Sequence, residues 1–186
     1  MIAAMSPIPD LHFRPTRGPD DVDALLAVQR GREPHDGVDA LSTTESVATR
    51  EMVLAGLTAA VVNNTQDRYT VVETGGEVIG YGRVIDWREH DGMRVYLHVG
   101  WVLAEWRGRG AGTELLQRLE GRIRKLAAAG TGPWEYAANA TSADTDSTRL
   151  LLDNGYRPGY TVLEMGLDWA GLDASLNRTR WPSGFE

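Results

Sequence analysis

The sequence predicts a mixed α/β fold of the α+β kind, in which helices cover both faces of a central sheet. Segments with strand-like alternation and segments with helical spacing follow one another in the order βααβββαβαβ. A Gly75-Gly76 turn joins two early strands, and such a tight turn makes an antiparallel pair. A long amphipathic helix over residues 110–129 separates two later strands, and a crossover of this kind makes a parallel pair. The sheet is therefore expected to be antiparallel in its first half and parallel in its second.

The first three elements are a short strand and two helices. Residues 11–15 alternate briefly between apolar and polar side chains, and the acidic turn at residues 19–21 opens a helix. Gly, Pro and Asp residues over 31–41 predict a break after this helix. The second helix is predicted to begin at Thr44 and to continue through Leu57.

The remaining elements are five strands and two helices. Helix 110–129 places its leucines on one face and ends at Gly130, and a helix over 144–154 ends at Gly155. The strands are predicted over residues 69–73, 78–85, 94–102, 134–138 and 161–167.

The chain length of 186 residues allows one domain with a sizeable core but is too short for two ordinary domains. The periodic elements place this domain at residues 11–168. A flexible N-terminus over residues 1–10 precedes it, and a C-terminal extension over 169–186 without firm periodicity follows it.

Charge and composition exclude several classes of function. The net charge of −7 argues against broad nucleic-acid binding, which needs a basic face. It weakly favours a positively charged binding partner or substrate. The chain has no cysteine, so it has no disulfide, no thiolate metal site and no cysteine nucleophile. No basic leader and no apolar run of about 20 residues is present, which predicts a cytoplasmic protein that does not enter the membrane.

A glycine-rich turn joins strand 94–102 to helix 110–129. Backbone N–H groups and the helix dipole converge at such a turn and can hold an anion, and Arg107 and Arg109 add positive charge that suits a diphosphate. The alternative is a plain tight turn with solvated arginines. Two other phosphate-binding patterns fail: G-x-G-x-x-G would need glycine at Thr113, and the P-loop needs a Gly-Lys-Ser/Thr that is absent.

Residues 102–116 resemble the signature segment of the GCN5-related N-acetyltransferases (GNAT). Arg107, Gly110 and Gly112 fill the pattern Arg/Gln-x-x-Gly-x-Gly/Ala, and an aliphatic helix follows. The element order over 11–168, with Asn154-Gly155-Tyr156 near its end, resembles that family as well. The resemblance implies a GNAT-like sheet that splays at its parallel strands and an acetyl-CoA-dependent N-acetyltransferase.

The resemblance also implies which residues bind acetyl-CoA. In that family the strand before the loop leaves its neighbour at a bulge and bonds the pantetheine arm like an added strand. Asp144 stands where relatives often carry an Asn that faces the cofactor, although its carboxylate has the alternative of capping the helix. The implied cofactor-binding residues are Gly100, Trp101 and Val102 for pantetheine, Arg107, Gly108, Arg109, Gly110, Ala111 and Gly112 for the pyrophosphate, and Thr113 for a hydroxyl contact.

Tyr96 and His98 resemble the positions at which members of the family carry histidines or a glutamate as the base. His98 is the candidate base, acting directly or through water, because imidazole titrates near working pH. Many relatives carry a tyrosine as general acid where this chain has Leu151. Tyr136 or Tyr96 would then supply the proton, or the thiolate leaves unaided, or the protein is a poor catalyst. The histidines show no metal-ligand spacing, so no metal is expected.

The acceptor is expected to be an amine of a small molecule or peptide. In this architecture, residues 31–57 should cover the acceptor end, and Trp87, Trp101 and Trp134 are candidates for its walls. A second hypothesis is a non-catalytic module that binds or senses acyl-CoA, motivated by Leu151 and by the extension over 169–186. The oligomeric state stays open, with a homodimer as one alternative.

Overall fold

The computed structural model describes residues 10–37 and 48–162. Five strands form one sheet in the order β1-β2-β3-β4-β5. The first four strands pair antiparallel, and β5 lies parallel to β4. The strands are β1 (His12–Arg14), β2 (Tyr69–Thr74), β3 (Glu77–Arg88), β4 (Arg94–Val102) and β5 (Trp134–Ala138), and the helices are α1 (Val22–Asp36), α2 (Arg50–Val62), α3 (Ala111–Ala128) and α4 (Thr145–Asp153).

This topology confirms the predicted fold class and the change from antiparallel to parallel pairing. The predicted start of the second helix at Thr44, the segment 1–9 and the extension over 169–186 lie outside the described residues. Of the strand predicted over 161–167, only residues 161 and 162 are described, and they are not in a strand. None of the described helices is long and apolar enough to cross a membrane.

The break predicted over residues 31–41 is wrong for its first part, because α1 continues through Gly31 and Pro34 to Asp36. Pro34 lies in the last turn and removes the N–H that would donate to the Arg30 carbonyl, so the helix continues here despite one missing hydrogen bond. Arg32 and Asp36 are buried and form an ion pair one helical turn apart, 3.3 Å between Nη1 and Oδ2. The helix ends at Gly37, whose φ of 62° lies in the left-handed region that favours glycine.

Two apolar clusters hold helices on opposite faces of the sheet. On one face, α3 buries its apolar stripe against alternate residues of β4 such as Tyr96 and Val102. On the other face, α1 and α2 pack against Val71 and Tyr81, with Trp101 at the margin. The alternation along β4 thus sends Tyr96, His98, Gly100 and Val102 toward α3.

Two glycines let α3 lie close to the sheet near the end of β4. A Cβ at Gly82 would lie 2.6 Å from the Leu119 side chain and 2.9 Å from the Val99 carbonyl oxygen. A Cβ at Gly100 would lie 3.2 Å from the Leu115 side chain. A larger side chain at Gly82 would therefore push the helix away from the strand that precedes the glycine loop.

The bulge expected in β4 is absent, because β3 and β4 pair without interruption from Gly80↔Val102 to Arg88↔Arg94. A register shift is found instead between β2 and β3, where Val72 pairs with Gly80 and Glu73 pairs with Val78. The β4–β5 pairing ends at His98↔Ala138, while β4 continues to Val102. The two parallel strands therefore part because β5 is shorter.

Candidate active site

The last four residues of β4 leave one edge of the strand unpaired in the described part of the chain. Leu103 N–H donates to the Ile79 carbonyl at 2.9 Å, so odd-numbered residues of β4 direct their backbone groups toward β3. Arg94 N–H donates to the Pro133 carbonyl at 3.1 Å, so even-numbered residues direct theirs toward β5. Beyond His98, the backbone groups of Gly100 and Val102 therefore face the gap where β5 has ended. This alternation turns the backbone of Trp101 toward β3.

The Arg107 side chain contacts this edge of β4 and also α1 and α4. Its Nε donates to the Val102 carbonyl at 2.9 Å. Its guanidinium forms an ion pair with Asp36 at 2.6 Å and a longer one with Asp146 at 3.6 Å. Asp36 also binds the buried Arg32, so a chain of buried charges runs from α1 to the loop. The Arg107 side chain is thus committed to protein groups rather than free for an anion.

The glycine loop ends in a helix N-terminus that no side chain caps. Gly108 and Gly110 have φ of 70° and 92°, which a glycine adopts without strain. Gly110 is the N-cap of α3 and offers no side-chain acceptor to the first N–H groups of the helix. In contrast, Thr49 caps α2 and Asp144 caps α4, accepting from Met52 N–H at 3.2 Å and Ser147 N–H at 3.0 Å. Asp144 therefore performs the capping role that the sequence left as an alternative.

Positive charge lies beside this N-terminus. The Arg109 guanidinium lies over the Trp106 ring at 5.4 Å, and the Nε of Arg109 has no hydrogen-bond partner among the described residues. Thr113 lies in the first turn of α3 and is partly exposed. The uncapped N–H groups, the helix dipole and Arg109 together favour an anion at this position.

His98 lies at the point where β4 and β5 part, and its side chain is 4% exposed. The Nε2 atom lies 2.6 Å from the Tyr156 hydroxyl, which in turn lies 3.1 Å from Oε1 of Glu120 on α3. Burial lowers the pKa of His98 to about 4, although the nearby Glu120 acts in the opposite direction. The imidazole is therefore neutral near pH 7.

The other predicted catalytic residues are divided between this cluster and the core. Tyr136 is 38% exposed, and its ring lies 5.7 Å from that of Tyr156, so the structure brings it near His98. Tyr96 is 2% exposed in the core beneath α3, and it lies roughly 13 Å along the strand from Gly100. The structure does not bring Tyr96 to the unpaired edge.

The three tryptophans expected to wall the acceptor site do not share one surface. Trp101 packs against Tyr81 on the α1 side, with ring centroids 4.9 Å apart. Trp134 lies against Tyr96 on the α3 side. Trp87 pairs with Val95 near the far end of β3. A wall built from all three is therefore ruled out by the alternation of side chains along the strands.

Sequence reasoning missed three residues of this region, namely Glu120, Tyr156 and Asp36. Tyr156 stood out only as part of an Asn-Gly-Tyr ending, and its hydroxyl received no role. Glu120 sits among several charged residues of α3, and Asp36 lay in a stretch interpreted as a loop. The one local signal was the spacing of Arg32 and Asp36, which places both on one helical face.

An unpaired strand edge followed by an uncapped, glycine-started helix is an arrangement that suits an anionic ligand with an extended arm. The model of the acetyltransferase (GNAT) family matches residues 38–149, more than half of the chain. The chain belongs to this family and is an acetyltransferase. Among curated proteins, none matches the chain by sequence.

Solved structures with the same fold come from distant relatives. An N-acetyltransferase from Staphylococcus aureus Mu50 is 22% identical, with 86% of this chain and 91% of that chain covered and a TM-score of 0.61. The protein yncA from Salmonella typhimurium is 22% identical, with 86% and 87% covered and a TM-score of 0.63. The paia N-acetyltransferase from Thermoplasma acidophilum is 13% identical, with 80% and 90% covered and a TM-score of 0.60. At these identities the likeness concerns the fold.

Proposed function

We propose that this acetyltransferase transfers the acetyl group of acetyl-CoA to an amine of a small molecule or peptide. The observation that carries the proposal is the uncapped N-terminus of α3, placed directly after the unpaired edge of β4. Two relatives of the same fold support the choice of ligand: yncA was solved with acetyl-CoA, and the Thermoplasma acidophilum protein with coenzyme A.

The residues at the edge and the loop fit the two parts of this ligand. The backbone groups of Gly100 and the N–H of Val102 face the gap and suit the amides of a pantetheine arm, whereas the Val102 carbonyl is taken by Arg107. Trp101 contributes through packing, since its backbone faces β3. The residues for the pyrophosphate are the N–H groups of Gly108, Arg109, Gly110, Ala111 and Gly112, with Thr113 and the Arg109 side chain beside them and Arg107 holding the loop.

Acetyl-CoA, bound in this way, supplies an activated thioester. The protein must accept a proton from the attacking amine and return one to the sulfur as the carbon–sulfur bond breaks. We assign the first role to His98, acting through a water molecule because its side chain is 4% exposed. We assign the second role to Tyr136, which is 38% exposed and whose ring lies 5.7 Å from that of Tyr156, the partner of His98.

The absence of cysteine makes a direct test of this proposal clean, because the protein contributes no thiol. The purified protein is incubated with acetyl-CoA and a panel of amines, and free CoA thiol is measured with a thiol reagent. Thiol release that depends on one class of amine, with the acetylated amine identified by mass spectrometry, is expected. Gly110→Glu serves as the binding-deficient control.

A second candidate is a non-catalytic module that binds or senses acyl-CoA. The observation that favours it is Leu151, which stands in α4 where many relatives carry a tyrosine as general acid. Micromolar binding of CoA by calorimetry, together with no thiol release for any amine in the panel, would establish this alternative and overturn the proposed transfer.

A further inference from the structure

Four side chains form a chain of polar contacts from β4 across α3. His98 Nε2 lies 2.6 Å from the Tyr156 hydroxyl, and the Tyr156 hydroxyl lies 3.1 Å from Glu120 Oε1. The other carboxylate oxygen, Oε2, binds Arg124 Nη2 at 2.8 Å. His98 is 4% exposed and the Glu120 side chain 13%, so these two groups are shielded from water, whereas the Arg124 side chain at the end of the chain of contacts is 56% exposed.

The direction of each hydrogen bond follows from counting protons. Glu120 is paired with Arg124 and is therefore a carboxylate, which accepts hydrogen bonds and donates none. The Tyr156 hydroxyl has a single proton, and its contact with Glu120 is attractive only if it donates that proton to Oε1. The Tyr156 oxygen can then only accept from His98, so the Nε2 of His98 must carry a hydrogen.

A neutral imidazole carries one ring hydrogen, so the same count fixes the other nitrogen. Burial lowers the pKa of His98, which keeps the ring neutral near pH 7. Among the described residues, the remaining charged or titratable groups around the cluster are Arg124 and Tyr136, and Arg124 is already paired with Glu120. With Nε2 protonated, Nδ1 is the nitrogen with a free lone pair.

We propose that Tyr156 and Glu120 hold His98 as the Nε2–H tautomer, so that Nδ1 is the nitrogen that accepts a proton. Tyr156 and Glu120 are then positioning residues, which act on the reaction through His98. The hydrogen on Nε2 follows from the contacts, and the free lone pair on Nδ1 follows from the burial that keeps the ring neutral. The effect of the tautomer on turnover rests on the proposed function, in which His98 is the base.

The tautomer is measured directly by NMR on the free protein at pH 7, with the four histidines labelled with ¹⁵N in their rings. His98 is assigned from the spectrum of His98→Gln. A protonated-type shift for Nε2 and an unprotonated-type shift for Nδ1 are expected. The reverse pattern, with hydrogen on Nδ1, would overturn the inference whether or not the protein transfers acetyl groups.

Glu120→Ala gives the sharper result. Without the carboxylate, the Tyr156 hydroxyl is released to donate to Nε2, and His98 is expected to switch to the Nδ1–H tautomer. Glu114→Ala is the matched control, because Glu114 also lies on α3 and also pairs with an arginine four residues later, at 2.7 Å. A tautomer that stays the same in Glu120→Ala, or that switches equally in Glu114→Ala, would contradict the inference.

Kinetics then test the effect on the reaction. Tyr156→Phe is expected to lower kcat at least about tenfold while the KM for acetyl-CoA stays within about twofold, since orientation of a general base contributes to turnover alone. Tyr160→Phe, at a tyrosine that is 88% exposed, is the control and should change neither constant. A wild-type protein without any transfer refutes the proposed function and leaves the tautomer measurement valid. An unchanged kcat in Tyr156→Phe refutes the positioning role.

Discussion

Gly110→Glu is the substitution that tests the anion cradle most directly. Gly110 has a φ of 92°, and a Cβ built on it meets no heavy atom within 4 Å. The new side chain therefore causes no clash, and its cost to the fold is the left-handed conformation, about 1–2 kcal/mol for an L-residue. Gly110→Ala carries the same backbone cost without the charge and is the matched control.

The loss of binding follows from the charge of the carboxylate. Two like unit charges roughly 5 Å apart repel by about 3 kcal/mol at an effective dielectric constant of 20. The loop is partly exposed, so about half of this repulsion is expected to persist for each phosphate charge that the carboxylate meets. Between about 10-fold and 100-fold weaker binding of CoA is therefore expected for Gly110→Glu, and a few-fold change at most for Gly110→Ala.

The assay is calorimetric titration with two ligands, CoA and pantetheine, because pantetheine lacks the pyrophosphate. Gly110→Glu should weaken the binding of CoA but not that of pantetheine. Raising the salt concentration should reduce the difference in CoA affinity between Gly110→Glu and Gly110→Ala. Equal affinity of wild type and Gly110→Glu for CoA would refute the assignment of the pyrophosphate to this loop. An equal loss for pantetheine would point to distortion of β4 instead of charge.

Three further predictions concern stability. Burial lowers the pKa of His98 from 6.5 to about 4, so between these pH values the unfolded chain binds a proton that the folded chain does not. The neutral ring therefore contributes about 3 kcal/mol to the free energy of unfolding; this contribution is fully present above pH 6.5 and is lost as the pH falls toward 4. The free energy of unfolding, measured with urea between pH 7 and 4.5, should fall less with decreasing pH in His98→Gln than in the wild type. An equal pH dependence in the two proteins would contradict the assignment. Asp21→Asn should lower the free energy of unfolding by about 3 kcal/mol, because Asp21 is 3% exposed and accepts two hydrogen bonds from Arg14, both at 2.8 Å. Asp20→Asn, at an exposed residue, is the control and should leave the free energy of unfolding almost unchanged. Asp144→Ala should cost about 1 kcal/mol through the lost cap and leave CoA affinity within about twofold; a larger loss of affinity would show that this carboxylate also meets the ligand.

Local patterns predicted most of the fold. The strands at 94–102 and 134–138 have the bounds that the sequence indicates, because alternating apolar residues and flanking Gly or Pro mark both. The length of α1 could not be predicted in this way, since Gly31 and Pro34 are local breaking signals. The buried ion pair of Arg32 with Asp36, and that of Asp36 with Arg107, are tertiary contacts that override those signals.

In the candidate site, too, the residues of one continuous segment could be predicted, whereas those that meet through tertiary contacts could not. The glycine loop is a continuous segment, so its residues could be predicted to act together from their spacing alone. The contact between His98 and Tyr156 joins residues 58 positions apart, and that between Tyr156 and Glu120 joins residues 36 positions apart. These groups meet because α3 packs over β4 and the segment after α4 reaches both, and no local pattern of charge or polarity indicates these contacts.

The Arg107 contact with the Val102 carbonyl has a consequence for behaviour at high protein concentration. A free strand edge is a template on which a second molecule can add a strand, and long edges of this kind drive edge-to-edge self-association. Within residues 10–37 and 48–162, the gap exposes the backbone groups of two residues, Gly100 and Val102, and the Arg107 guanidinium occupies one of their carbonyls. At this edge of β4, the described residues thus offer a neighbouring molecule too few free backbone groups for the addition of a long strand.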